Sequence, residues 1–215
     1  MALTYNDRSR RTSDDRAIFS HALRNNPLLS AASGAALAAG GCTTPLSALV
    51  MCLIMAAVLP LLGYISAVER ERIRPERRMA AYCAAAAAAV FVLSLILDSI
   101  VLGCVEAMGV FVPLMAVDPL VLSRTAPDAP ILTRREACLE GLACALAFAL
   151  TALPVGLIRG LLGSGELFGL WLGFAGNSVF ARPFIGFILC GLILALLRRL
   201  MAQPERVSAD VKEGE

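Results

Sequence analysis

The segment MGVFVPLMAVDPLVLS, residues 108–123, is apolar enough to sit in lipid yet too broken to cross it as one helix. Its 16 residues would span ~24 Å as an α-helix, short of the ~30 Å hydrocarbon core of a bilayer. Pro113 interrupts the run, and Asp118-Pro119 stands in the order of an N-cap followed by a first helical residue. One half-helix is therefore expected to end near 117 and another to begin at 119. Unwound backbone at that depth is tolerated only where protein or a water-filled cavity covers it, so the break should face the protein interior.

On either side the chain is just as apolar, with 58% hydrophobic and 17% charged residues over 215 positions and a mean hydropathy of +0.75. That is the composition of a polytopic membrane protein, and it leaves no room for a second, soluble domain. Apolar runs at 27–43, 46–67, 79–97, 108–123, 137–158 and 178–200 each approach the ~20 residues that a membrane helix needs. The first of them is also a poor continuous helix: Gly34, Gly40 and Gly41 precede Thr43, Thr44 and Pro45. Breaks in corresponding runs of two halves point to an internal repeat. The expected fold is an all-α membrane protein of six transmembrane helices in two inverted three-helix repeats, spans 1–3 and 4–6, with spans 1 and 4 interrupted. The expected organisation is a cytoplasmic polar arm (1–25), a six-helix membrane domain (26–201) and a cytoplasmic tail (202–215).

The basic residues set the orientation. Arg8, Arg10, Arg11, Arg16 and Arg24 lie in the arm, and Arg70, Arg72, Arg74, Arg77 and Arg78 lie between spans 2 and 3. Arg124, Arg134 and Arg135 lie between spans 4 and 5, and Arg198, Arg199, Arg206 and Lys212 follow span 6. Alternation of six spans puts all four groups on one side, leaving only Arg159 and Arg182, so the positive-inside rule places both termini in the cytoplasm. Basic residues confined to span ends suit an anionic leaflet and not nucleic acid. Small residues, the alanine run 84–89 and Gly156, Gly160 and Ser164 at four-residue spacing, offer smooth faces for close helix contact.

Asp118 is the one ionisable residue that this reading puts well inside a span. A charged Asp near the bilayer centre costs ~2.5–3.5 kcal/mol, so it needs a partner, a proton or water. Two roles stay open for it: an ion or proton contact, and a structural N-cap for the half-helix that follows. The cysteines at 42, 52, 83, 104, 138, 144 and 190 stand singly in apolar sequence, and the only histidine is His21. No zinc spacing and no disulfide framework emerges, and these residues read as small packing side chains.

Four stretches taken together carry a family resemblance. They are NNPLL at 25–29, FVPL at 111–114 followed by Ser123-Arg124, Glu140-Gly141-Leu142, and Arg159 with GSGELFG at 163–169. In order and spacing, from about residue 25 to 169, they resemble the homologous membrane subunits of the Rnf and Nqr complexes. The basic arm and the Asn26-Pro27 opening resemble the E-type subunit of Rnf and the D-type subunit of Nqr rather than their sister subunit of opposite topology. The resemblance implies six helices in two inverted repeats, docked against the paralogous opposite-topology subunit (A-type in Rnf, E-type in Nqr) in a bacterial inner-membrane assembly. Such an assembly couples electron flow to Na⁺ or H⁺ movement. It also implies one [2Fe–2S] cluster held by two Cys from each of the paired subunits, the Cys₄ ligation such a cluster needs.

At that point this sequence departs from the family. Counted from Asn26, the first ligand position is Ala36; counted from FVPL, the second is Pro119, preceded by Asp118 where the family has Asn. Ala and Pro cannot ligate iron, so no cofactor is expected to be bound by this chain. Cys42 lies six residues beyond the required position, and the neighbouring TTPLSAL match does not support the realignment that would bring it there. The expected function is an integral subunit of an Rnf/Nqr-like ion-translocating electron-transport complex, without its own iron–sulfur ligands and not catalytic alone. The alternatives are a standalone transporter for a small solute or cation, and a structural membrane subunit without redox chemistry.

Overall fold

The computed structural model describes residues 32–69, 73–100, 103–123, 133–167, 170–171 and 176–210. The arm 1–25, the Asn26-Pro27 opening and most of the 124–136 connection lie outside these residues. Among the described residues the fold is helical, apart from a two-residue antiparallel hairpin pairing Glu166–Leu167 (β1) with Leu170–Trp171 (β2). Four helices are long and apolar enough to cross a membrane: α2 (Pro45–Glu69), α3 (Pro75–Ile100), α7 (Arg134–Arg159) and α9 (Pro183–Asp210). They correspond to the expected spans 2, 3, 5 and 6.

Over their described residues the other two expected spans are short or broken. Of the first, the described part is α1, Ala35–Gly41, seven residues long, or ~10 Å of rise. The fourth is α5 (Phe111–Leu114), a 3₁₀ turn at Met115–Val117, an extended Asp118 and α6 (Pro119–Leu122). It is preceded by the short helix α4, Cys104–Met108, set off by left-handed Gly103 and by Gly109 at φ 54°. Neither fragment crosses a bilayer by itself, so the described residues contain four helices of spanning length rather than six.

Local chemistry explains where the long helices start. Pro45 occupies the first turn of α2, where its missing N–H costs nothing. The Thr44 hydroxyl accepts from Ser47 N at 3.1 Å while Ser47 Oγ accepts from Thr44 N at 3.0 Å. Thr133 and Glu136 form a capping box at the start of α7. In α3 the last-turn Asp98 carboxylate accepts from Val105 N at 3.4 Å across the turn to α4. A short helix α8, Ser178–Ala181, capped by Asn177, leads into α9.

The core is an antiparallel pair, α2 against α7, packed along most of their lengths. Glycine makes the approach close enough for backbone contact. A Cβ on Gly141 would lie 2.7 Å from the Leu59 carbonyl oxygen and from Pro60 Cα; one on Gly156 would lie 3.0 Å from the Thr44 oxygen. The expected close contact through Gly156 and Gly160 is thus made with the start of α2. Leu59, Leu62, Phe148 and Val155 fill the same interface.

The outer layer is reciprocal. α9 packs on α1, and α3 packs on the fragments of the fourth segment. Half of the α2 and α7 spans is buried (50% and 56%), against 22% and 17% for α3 and α9. The alanine run shows this division within one helix: Ala86 is buried, whereas Ala84, Ala87 and Ala88 face outward. α9 continues unbroken to Asp210, so the first part of the tail expected from 202 is a helical extension.

Candidate functional site

The two interrupted segments meet. Gly40 and Gly41 at the end of α1 lie against the Phe111 side chain at the start of α5, so closely that a Cβ on Gly40 would overlap the ring. Gly34, with φ 86°, starts α1 in a left-handed conformation that side chains disfavour. After the helix, Cys42 turns the chain, with Thr43 N donating to Gly41 O at 3.0 Å.

In the fourth segment the break falls at Asp118. Its backbone is extended (ψ 139°), Pro119 takes the first helical position, and the carboxylate accepts from Leu120 N at 2.8 Å. The side chain is 5% exposed. Asp118 therefore caps α6, and its charge is set against the amide end of that helix. Met115, Ala116, Leu120 and Val121 turn inward, whereas Val110, Leu114 and Val117 are 71%, 40% and 51% exposed. The break thus has one side buried within this chain and one apolar side open.

The positions expected to match the family's cluster ligands lie on open sides as well: Ala36 in the first turn of α1 and Pro119 at the start of α6 are both exposed. The structure joins their segments through Phe111. Neither side chain can ligate a metal, and Cys42 does not replace them. Its thiol is fully buried and donates to the Met51 sulfur at 3.8 Å, turned into the core rather than to the face bearing Ala36. Among the described residues no three His, Cys, Asp or Glu side chains come together as metal ligands. At Ala36, Pro119 and Cys42 the described residues thus turn no thiolate toward a Cys₄ cluster site.

The sequence brings Arg159 forward only as part of a family motif and as a cation outside the four basic groups, with no role assigned to it. It is 1% exposed at the end of α7, where the backbone passes into a π turn at Gly160–Ser164. Its Nη1 donates to Ala39 O at 2.5 Å and to Cys42 O at 3.2 Å, and its Nε donates to Phe180 O at 3.3 Å. The guanidinium thus takes carbonyls at the C-terminal end of α1, where a cation suits the helix dipole, and ties them to α8. The signal was a single Arg inside an apolar run; its acceptors, being backbone carbonyls, leave no mark in the sequence.

Comparison with known proteins gives a consistent assignment. The E-type component of an ion-translocating oxidoreductase complex from Rhodobacter capsulatus is 28% identical over 186 residues, covering 79% of this chain and 76% of the relative. The D-type component of a Na⁺-translocating NADH-quinone reductase from Shewanella piezotolerans is 26% identical over 195 residues, covering 86% and 91%. The corresponding component from Proteus mirabilis is 26% identical over 205 residues, covering 91% and 96%. A family model described as "Rnf-Nqr subunit, membrane protein" matches residues 16–201. With four apolar helices of spanning length and a match over most of its sequence, the chain belongs to the Rnf-Nqr family of membrane subunits.

Proposed function

We propose that this chain is an integral subunit of a bacterial Rnf/Nqr-type ion-translocating electron-transport complex, not catalytic alone. In that complex its two broken segments form a seam with a paralogous subunit of opposite topology. The observation that carries this reading is the meeting of α1 with α5 around Phe111, beside an apolar face left open at Val110, Leu114 and Val117. Lipid cannot satisfy interrupted backbone, so a protein surface has to complete the cover. The E-type and D-type relatives supply the context, because each is one component of a translocating complex.

The reciprocal packing supports two inverted repeats. Each broken segment rests on the last helix of the other half, α1 on α9 and the fourth segment on α3, while the middle helices α2 and α7 pair centrally. Six crossings, with segments 1 and 4 completed by each other and by the partner, and both termini in the cytoplasm, fit that symmetry and the arginines at span ends. In this reading the chain supplies no cluster ligand, since Ala36 and Pro119 stand at both positions. Asp118 serves as a cation or proton contact at the seam in addition to capping α6.

Purification of the tagged chain from its native membrane in mild detergent, with spectroscopy for flavin and iron, tests the proposal. Co-purification with an opposite-topology homologue and flavin-bearing subunits is expected, with no [2Fe–2S] signal traceable to this chain. A chain that purifies alone and moves ions in liposomes refutes it in favour of a transporter.

A further inference from the structure

Among the described residues Arg159 is the only cation drawn fully into the helical bundle, and the chemistry of the seam so far gives it no task. We infer that Arg159 is the positioning residue of the first broken segment, holding α1 in register at the seam by capping its carbonyl end and clamping it to the α8–α9 corner. Its functional consequence rests on the seam proposed above; the clamp itself does not.

α1 cannot hold its own place. It has seven residues and no side-chain cap at Gly34, and a helix that short is not stable by itself. What fixes it is tertiary. Arg159 bonds Ala39 and Cys42 at its C-terminal end and Phe180 on the opposite side, joining residues 120 positions apart in sequence. The fit is tight, because a Cβ on Gly186 of α9 would overlap the Ala39 oxygen and come within 3.0 Å of Arg159 Nη1. The Ala39 carbonyl is therefore both the acceptor of the guanidinium and the surface on which α9 rests. Ala36, three residues earlier on α1, is exposed, so sliding or tilting of α1 moves the face turned to the partner. The clamp engages only the end of α7, and the α2–α7 contact at Gly141, Leu59 and Pro60 lies at the other end of the pair, so loss of the clamp leaves that part of the core in place.

Cys42 reports on the clamp directly. Its carbonyl is bonded by Arg159 and its thiol is fully buried, whereas Cys144, equally buried, belongs to α7 in the central core. N-ethylmaleimide labelling of the assembled complex in native membranes, read by mass spectrometry, compares the two thiols. In Arg159→Met, Cys42 is expected to react at least tenfold faster than in the wild type while Cys144 stays protected. Coupled ion flux per electron falls at least tenfold in an assembly that still forms. Arg159→Lys restores part of both, because one ammonium can reach the α1 carbonyls but not Phe180 at the same time.

Unchanged protection of Cys42 in Arg159→Met overturns the clamp, as does equal exposure of Cys144, which would make Arg159 a general core residue. Exposure of Cys42 with normal flux leaves the clamp standing and refutes the seam. Should Arg159→Met fail to accumulate, Arg159→Lys decides the matter: a Cys42 rate above the wild type with Cys144 still protected supports the clamp, and a wild-type rate overturns it.

Discussion

Replacing Gly141 by alanine adds one methyl group to the place where α2 and α7 come closest. The new Cβ would sit 2.7 Å from the Leu59 oxygen, 2.7 Å from Pro60 Cα and 2.8 Å from the Leu59 carbonyl carbon, whereas ordinary contact begins at 3.4 Å. All three obstacles are backbone, so no side chain can rotate away, and the helices must part by ~0.7 Å. A gap of that size forfeits a quarter to a half of the dispersion well for each facing atom pair. Overpacking of this kind costs about 1–3 kcal/mol, and rigid backbone on both sides argues for the upper end. Against it stands a gain of about 0.8–1.0 kcal/mol from the better helix former. The overlap wins, leaving a net loss of about 2 kcal/mol, or a folded-to-unfolded ratio lowered ~30-fold.

Gly191 supplies the control, because a Cβ there meets nothing within 4 Å. SDS-titrated unfolding in mild-detergent micelles should show Gly141→Ala unfolding at clearly lower SDS than the wild type, with Gly191→Ala unchanged or slightly stabilised. If the two variants behave alike, the backbone contact between α2 and α7 is not there and the reasoning fails.

Further outcomes follow from the site. Asp118→Asn keeps an efficient N-cap but loses the charge, so assembly is preserved while ion flux falls at least tenfold; normal flux reduces Asp118 to its capping role. Asp118→Ala additionally destabilises the chain by about 1 kcal/mol, measurable in the same SDS titration. Val117→Trp places a large side chain on the open face of the break and should abolish co-purification of the partner subunit. Ile188→Trp on the outward face of α9 should leave it intact, and equal behaviour of the two argues against a seam at Val117. Thr133→Ala removes one arm of the capping box on α7 at a cost of about 1 kcal/mol, with no effect on flux.

The parts of this structure that the sequence announces are those encoded by neighbouring residues. Asp118-Pro119 states its own geometry, since the carboxylate and the amide it bonds are two residues apart. Apolar length alone marks α2, α3, α7 and α9, and four-residue spacing marks the Gly156 and Gly160 contacts. What stays hidden depends on distance along the chain. The motif that contains Arg159 does not reveal its task, because its acceptors are carbonyls contributed by Ala39, Cys42 and Phe180, and every residue type offers such a group. Gly103 and Gly109 look like ordinary small residues in an apolar run, although their positive φ values detach α4 from α3 and α5. The alanine run promises a buried smooth face, yet three of its members look outward because no other described part of the chain covers them.

The resting of α1 on α9 has a consequence for biosynthesis. The earliest described helix to leave the ribosome needs the last one as its shelter. At about 5–20 residues per second, roughly 7–30 s pass between emergence of Ala39 and of Gly186. Until Arg159 emerges α1 lacks its arginine cap, and until Gly186 emerges it lacks its covering helix, so the insertion machinery itself has to shield it. A polypeptide truncated before residue 183 would therefore be released with its earliest described helix unsheltered and be an early target for membrane proteases, however well its central pair has formed.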